Sequence, residues 1–168
     1  GLQEAIGSAY LCMRAIDEIE DHPNLGAEDK IALLQAVSSL LKTDYRKEDI
    51  QAVFEPYKDV LPEVTLQLGD WMDYCPPGVL GKVLESTKEM AEGMAKWVSK
   101  NWLIHDKEEL DEYTYYVAGL VGVMLSDIWK WYDGTDTDRN LAIAFGQGLQ
   151  TVNILRNREE DAERGVNF

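Results

Sequence analysis

Apolar residues recur along this chain mainly at spacings of three and four, the period of a helix buried along one side. Near the N-terminus the pattern is different. Ala9, Leu11, Cys12, Met13, Ala15, Ile16 and Ile19 spread over almost the whole circumference, which predicts a helix largely enclosed by the fold. His22-Pro23-Asn24-Leu25-Gly26 ends it as a turn, because proline lacks the donor a helix needs and Gly and Asn tolerate the exit geometry. A second helix, Ala27 to Leu41, follows through Ile31, Leu34, Val37 and Leu41, and Lys42 to Asp49 reads as a charged connection. A third helical region runs from Ile50 to Cys75, broken or kinked by Pro56 and Pro62. After Pro76-Pro77-Gly78, Val79 to Trp102 carries Val79, Val83, Met90, Met94, Trp97 and Val98 at helical spacing.

Asp106 with Glu109 resembles a capping box, Asp standing in for Ser or Thr, and opens a helix from about Lys107 to Tyr132. Within it lies Tyr113-Thr114-Tyr115-Tyr116-Val117-Ala118-Gly119-Leu120-Val121-Gly122. Two glycines inside a helix cost roughly 1 kcal/mol each against alanine, so the space they leave serves either close helix packing or a long ligand. Asp133 to Asn140 invites comparison with a calcium loop, but started at Asp136 it has Leu141 where the loop needs glycine and no Glu at its last position. It reads as a turn plus a helix N-cap. A last helix puts Leu141, Ala144, Phe145, Gly148, Leu149, Val152 and Leu155 on one side and Gln150, Asn153, Asn157, Glu160, Asp161 and Arg164 on the other. No stretch alternates with a period of two and no repeat is present, so the fold class is all-α.

Composition narrows the partners. The 168 residues are expected to form one domain, 1–168, with a substantial core. With 31 acidic against 16 basic residues the formal charge is −15, which excludes nucleic acid as a partner, since no basic patch is present to release counterions from phosphates. An anion could be held only locally, through metal ions or a few placed Arg and Lys. Cys12 and Cys75 lie in apolar surroundings without metal-ligand spacing and read as reduced core thiols, which fits a cytoplasmic setting. No run approaches the roughly 20 apolar residues of a membrane span, and the first residues lack a signal-peptide layout. The pattern does begin inside a helix, which leaves an upstream targeting segment open.

The acidic residues of the first helix carry the chemistry. At about 100° per residue, Tyr10, Arg14, Asp17 and Asp21 share one narrow strip, with Glu20 beside it. A bland amphipathic end would account for such a strip by itself. On a helix that is apolar all round, however, carboxylates must be paired or hold a cation. If this strip and the polar strip of the last helix face each other across a cavity, their oxygen ligands suit Mg²⁺, which typically joins carboxylates to substrate phosphates.

Three motifs together resemble the squalene/phytoene synthase family of head-to-head prenyl transferases. Tyr10 to Asp21 resembles the family's first aspartate-rich motif, and Tyr113 to Gly122 its central tyrosine-bearing helix, in a form close to that of the squalene synthases. Gln150-Thr151-Val152-Asn153-Ile154-Leu155-Arg156-Asn157-Arg158-Glu159-Glu160-Asp161-Ala162-Glu163-Arg164-Gly165 resembles the second aspartate-rich motif. Their order and their spread over nearly the whole chain make the resemblance specific.

The resemblance implies an isoprenoid-synthase-like helical bundle around a central cavity, apparently incomplete at both ends because family members continue through further helices. It implies metal binding by Asp17, Glu20 and Asp21 on the first helix and by Asn153, Asn157 and Asp161 on the last. Asn157 stands where the family usually has its leading Asp, which removes one charge. Tyr113, Arg14 and Tyr10 would be catalytic, while Arg14, Gln150, Tyr116 and Gly119 would contact substrate. The implied activity is head-to-head condensation of two prenyl diphosphates, farnesyl diphosphate favoured, to a squalene, dehydrosqualene or phytoene-type product. Mg²⁺ is the implied cofactor, with NADPH a candidate, and an apolar product suggests peripheral contact with a membrane. A prenyl diphosphate hydrolase and a non-catalytic helical interaction module are the alternatives, and the oligomeric state is not set by the sequence.

Overall fold

The computed structural model describes residues 1–163 and 165, the side chain of Asp161 excepted, so Arg164 of the last polar strip lies outside the described residues. The described chain is helical without a strand, as the spacing predicts: α1 (Leu2–Glu20), α2 (Ala27–Leu40), α3 (Lys47–Phe54), α4 (Glu63–Leu66), α5 (Leu68–Tyr74), α6 (Pro77–Ser99), α7 (Lys107–Thr114), α8 (Leu120–Asp133), α9 (Arg139–Arg156) and α10 (Arg158–Glu163). Helix α6 is the spine. Its 23 residues bury a row from Val79 to Val98 and pack against α1, α2 and α8. Helix α1 is buried from Ala5 to Ile19 between α6 and the short α4–α5 pair. There Thr65 Oγ1 donates to the Ala15 carbonyl at 2.9 Å and Ser8 Oγ to the Trp71 carbonyl at 2.7 Å. Cys12 and Cys75 are free and buried, and burial pushes the Cys12 thiol up to about 12, as suits inert core thiols. Among the described residues no helix is long and apolar enough to cross a membrane.

Proline breaks the third helical region as expected, through a 3₁₀ turn at Glu55–Tyr57, although α3 starts at Lys47, earlier than the charged connection suggests. Asp138 caps α9 by accepting from the backbone N–H of Asn140 and Leu141, so Asp133 to Asn140 is a turn and N-cap. Asp106 caps α7 through the N–H of Glu109 at 2.9 Å, whereas the Glu109 carboxylate accepts from the N–H of His105 rather than from that of the cap residue.

Two features depart from the pattern. The helix expected from Lys107 to Tyr132 contains a π-helical turn, Tyr115–Gly119, which shifts the register between α7 and α8. And α9 turns its richest apolar row outward: Phe145 is 71% exposed and Leu155 68%. On its other side α9 makes a close approach. A Cβ at Gly122 of α8 would lie 2.4 Å from the Ala142 carbonyl oxygen, and one at Gly146 of α9 would lie 2.5 Å from the Ala118 carbonyl oxygen. Glycine–backbone contact, not large side chains, therefore seats α9 on α8 and the π turn. Of the two readings of the paired glycines, close packing is the one observed at Gly122, while Gly119 meets Ile143 and Gln147 of α9.

This packing separates the glycines energetically. Gly122→Ala and Gly146→Ala should each lose about 1–3 kcal/mol in urea unfolding, because the added methyl meets backbone that cannot rotate away. Gly148→Ala in the same helix, with nothing within 4 Å of the added atom, should instead gain about 0.5–1 kcal/mol. Equal effects at the three positions would contradict the packing account.

Candidate metal and diphosphate site

A cleft of about 820 Å³ lies between the C-terminal ends of α1 and α9. One wall is Arg14, Asp17, Glu20 and Asp21 of the α1 strip, and the other is Gln150, Asn153, Ile154, Arg156 and Asn157. The two polar strips therefore face one cavity. Single oxygens of Asp17, Glu20 and Asp21 all lie within 4.8 Å of one another.

Local electrostatics make this a place for a cation. A helix C-terminus carries partial negative charge on its free carbonyls, yet α1 ends in acidic residues and has no basic residue in its last turn. Burial, then the neighbouring Asp21, pushes the Asp17 carboxyl up to about 6 against the pull of Arg14. Burial, then Asp21, pushes Glu20 up to about 8, opposed by a hydrogen bond from Trp102. Arg14 Nη1 donates to Asp17 Oδ2 at 2.7 Å and its Nη2 pairs with Glu18, so this guanidinium is partly engaged. Such mutually repelling oxygens, held together at the negative end of a helix, fit a hard divalent cation, whose charge would relieve both burial and repulsion.

Tyr113 is buried, lines the cleft and packs edge-on against Trp97 with ring centroids 5.7 Å apart, while Ile154 completes this small apolar cluster. Asn157 ends α9, its N–H bonded to the Asn153 carbonyl at 2.9 Å, so the last helix is split at that residue. Three residues expected at the site lie outside the cleft lining. Tyr10 is 64% exposed, on a part of α1 that the cleft does not reach. The π turn lays the Tyr116 ring over α6, so closely that a Cβ on Gly93 would lie 2.2 Å from it, and Tyr116 lines a different surface groove. Gly119 faces α9 instead. The side chain of Asp161 lies outside the described residues.

Polar or aromatic cleft residues that were not anticipated as part of the site include His22, Lys30, Trp102 and Arg156. Lys30 did carry a signal, since it occupies a position on the same face as Leu34, Val37 and Leu41, where a charge needs a partner. It donates from Nζ to the Glu20 main-chain carbonyl at the end of α1. Trp102 had none, because its contact with Glu20 spans 82 residues of sequence.

The squalene/phytoene synthase family matches residues 1–168. Botryococcus squalene synthase of Botryococcus braunii is 33% identical over 165 residues, which cover 95% of this chain and 34% of that protein. Squalene synthase of Homo sapiens is 30% identical over 178 residues, covering 99% of this chain and 40% of that protein. Squalene synthase of Schizosaccharomyces pombe is 28% identical over 177 residues, covering 100% and 38%. The chain thus spans between 34% and 40% of the length of these curated relatives.

The raised carboxyls give the metal-free protein a distinctive pH response. Groups that bind protons more tightly folded than unfolded stabilise the fold below their unfolded values near pH 4, and that contribution is lost as pH rises through about 6 for Asp17 and about 8 for Glu20. In the presence of EDTA the melting temperature should therefore fall between about pH 5 and about pH 9. Millimolar Mg²⁺ should recover much of the loss at the alkaline end. A melting temperature that climbs across this range without metal would contradict the assignment of these shifts.

Proposed function

The chain belongs to the squalene/phytoene synthase family, and from that membership and the acidic cleft we propose that it carries the diphosphate-ionising half of a head-to-head prenyl transferase. The observation that carries this reading is the convergence of Asp17, Glu20 and Asp21 opposite Asn153 and Asn157. On this reading, residues 1–168 are a single isoprenoid-synthase-like domain. Asp17, Glu20 and Asp21 would hold Mg²⁺ from one wall, and Asn153, Asn157 and Asp161 from the other. Bound Mg²⁺ supplies charge neutralisation for the departing diphosphate oxygens.

The chain's own residues do the rest. Arg14 and Arg156 line the same cleft and offer planar donors to diphosphate oxygens, Arg14 by exchanging part of its pairing with Asp17 and Glu18. Tyr113, braced by Trp97, presents an aromatic ring to the cleft where an allylic cation would be stabilised by a π face. Gln150 supplies an amide that can orient substrate oxygens. Farnesyl diphosphate is the favoured substrate, consumed in pairs, with NADPH needed if the product is fully reduced to squalene. A cytoplasmic protein that meets a membrane peripherally is the matching location for an enzyme with an apolar product.

Prenyl diphosphate hydrolysis is the second reading, favoured by the neutral Asn157 at the metal-facing wall. Incubation with farnesyl diphosphate and Mg²⁺, with and without NADPH, separates them: a C30 product supports the transferase, farnesol the hydrolase, and unchanged substrate a non-catalytic helical module. Asn157→Asp should tighten Mg²⁺-dependent binding of a non-hydrolysable farnesyl diphosphate analogue, by up to about tenfold, because it adds a full charge to the shell. Asp17→Asn should weaken it by a comparable factor. Calorimetry that finds no change in either variant would remove both walls from the proposed shell.

A further inference from the structure

Glu20 is the one carboxylate of the trio that is buried, at 3% exposure, while Asp17 is half-buried and Asp21 exposed. Its orientation therefore has to be fixed from inside the protein. Two residues do this. Trp102 Nε1 donates to Glu20 Oε1 at 2.9 Å, and Lys30 Nζ donates to the Glu20 main-chain carbonyl. The Lys30 ammonium also lies 5.2 Å from the Trp102 ring centroid, so ammonium, indole and glutamate form a closed unit with each member touching the other two.

The backbone that delivers the indole is unusual. After α6, the N–H of Asn101 bonds to the Val98 carbonyl and that of Trp102 to the Trp97 carbonyl, both at 3.0 Å. Asn101 (φ 53°) and Trp102 (φ 52°) are both left-handed, and among the described residues they are the non-glycine residues with positive φ. Asparagine adopts this region readily, but for a bulky aromatic residue it is an outlier that surrounding structure must hold in place. Here the hydrogen bond to Glu20 and the stacked ammonium do so.

We propose that Trp102 is a positioning residue for divalent-cation binding. Its indole N–H, presented by the left-handed Asn101–Trp102 turn and backed by Lys30, fixes the Glu20 carboxylate with Oε1 satisfied and Oε2 directed to the cation. This rests on the metal-site reading above. An indole is a donor without a lone pair to offer, so it orients a carboxylate and does not compete with it for the metal. Donors behind metal-binding side chains typically contribute 10- to 100-fold to metal affinity.

The test is an electron paramagnetic resonance titration with Mn²⁺ in the presence of inorganic diphosphate, on the wild type, Asp17→Asn, Trp102→Phe and Lys30→Met. Phenylalanine keeps an aromatic ring beside the ammonium and removes the donor together with the second ring of the indole. Trp102→Phe should weaken Mn²⁺ binding by about tenfold and Lys30→Met by a smaller factor, each measured on protein shown by circular dichroism to be folded. In the wild type, with the indole nitrogens labelled with ¹⁵N, the Trp102 Nε1–H resonance should move when Mg²⁺ and diphosphate are added. That second measurement holds even if Trp102→Phe folds poorly. Mn²⁺ binding that depends on Asp17 but is the same within twofold in Trp102→Phe, or an indole resonance unmoved by Mg²⁺, overturns the proposal and leaves the metal site standing. No Mn²⁺ binding by the wild type overturns both.

Discussion

A carboxylate inside a fold has to be protonated, paired or bound to a cation, since leaving it ionised and alone in a low-dielectric interior costs several kcal/mol. Glu20 meets that constraint at the end of α1, a helix that cannot move outward because Ala5 to Ile19 form much of the core. The acidic end of α1 is consequently pinned where its charges are least comfortable. Asp17 and Asp21 stand beside it, so their repulsion adds to the cost of burial. Arg14 and Lys30 offset part of this repulsion, and a cation in the cleft or retained protons would relieve the remainder, which ties the pH response of the empty fold to cation binding.

The rest of the bundle places a second polar wall opposite that end. Helix α6 supports α1 along its length, and from its C-terminus the chain turns through Asn101 and Trp102 back to Glu20. Helix α9 reaches the cleft by riding close on glycines rather than by burying its largest side chains, which leaves Phe145 and Leu155 outside while Gln150, Asn153 and Asn157 line the cavity. Helix packing and site geometry are thus one problem, because a wider spacing between α8 and α9 would carry the second wall away from the first.

Much of this was legible along the chain. Helices α1, α2, α6 and α9 follow directly from apolar spacing, and the all-round apolar character of α1 marked the helix as enclosed, although of its site carboxylates only Glu20 is buried, Asp17 being half-buried and Asp21 exposed. Of the cleft residues, Arg14, Asp17, Glu20 and Asp21 and, on the other wall, Gln150, Asn153 and Asn157 were readable as two polar strips at helical spacing, whereas Tyr113 was pointed to by the resemblance of its motif to that of the squalene/phytoene synthases. What was not legible depends on tertiary contact. The π turn moves Tyr116 onto Gly93, a register change that a regular helical period cannot express. The face by which α9 packs is seated by two glycine–carbonyl approaches, to α8 and to the π turn, which apolar spacing does not reveal. Trp102 reaches Glu20 through a left-handed turn that carries no glycine to announce it.

The central claim is that the acidic end of α1 and the polar end of α9 bind divalent cations together with diphosphate. Anomalous X-ray scattering from a crystal grown with Mn²⁺ and inorganic diphosphate measures this most directly. The account predicts a Mn²⁺ peak in the cleft within bonding distance of Asp17 or Asp21, with diphosphate density reaching toward Asn153 and Asn157. A cleft without Mn²⁺ in a crystal that binds the ion elsewhere would contradict it.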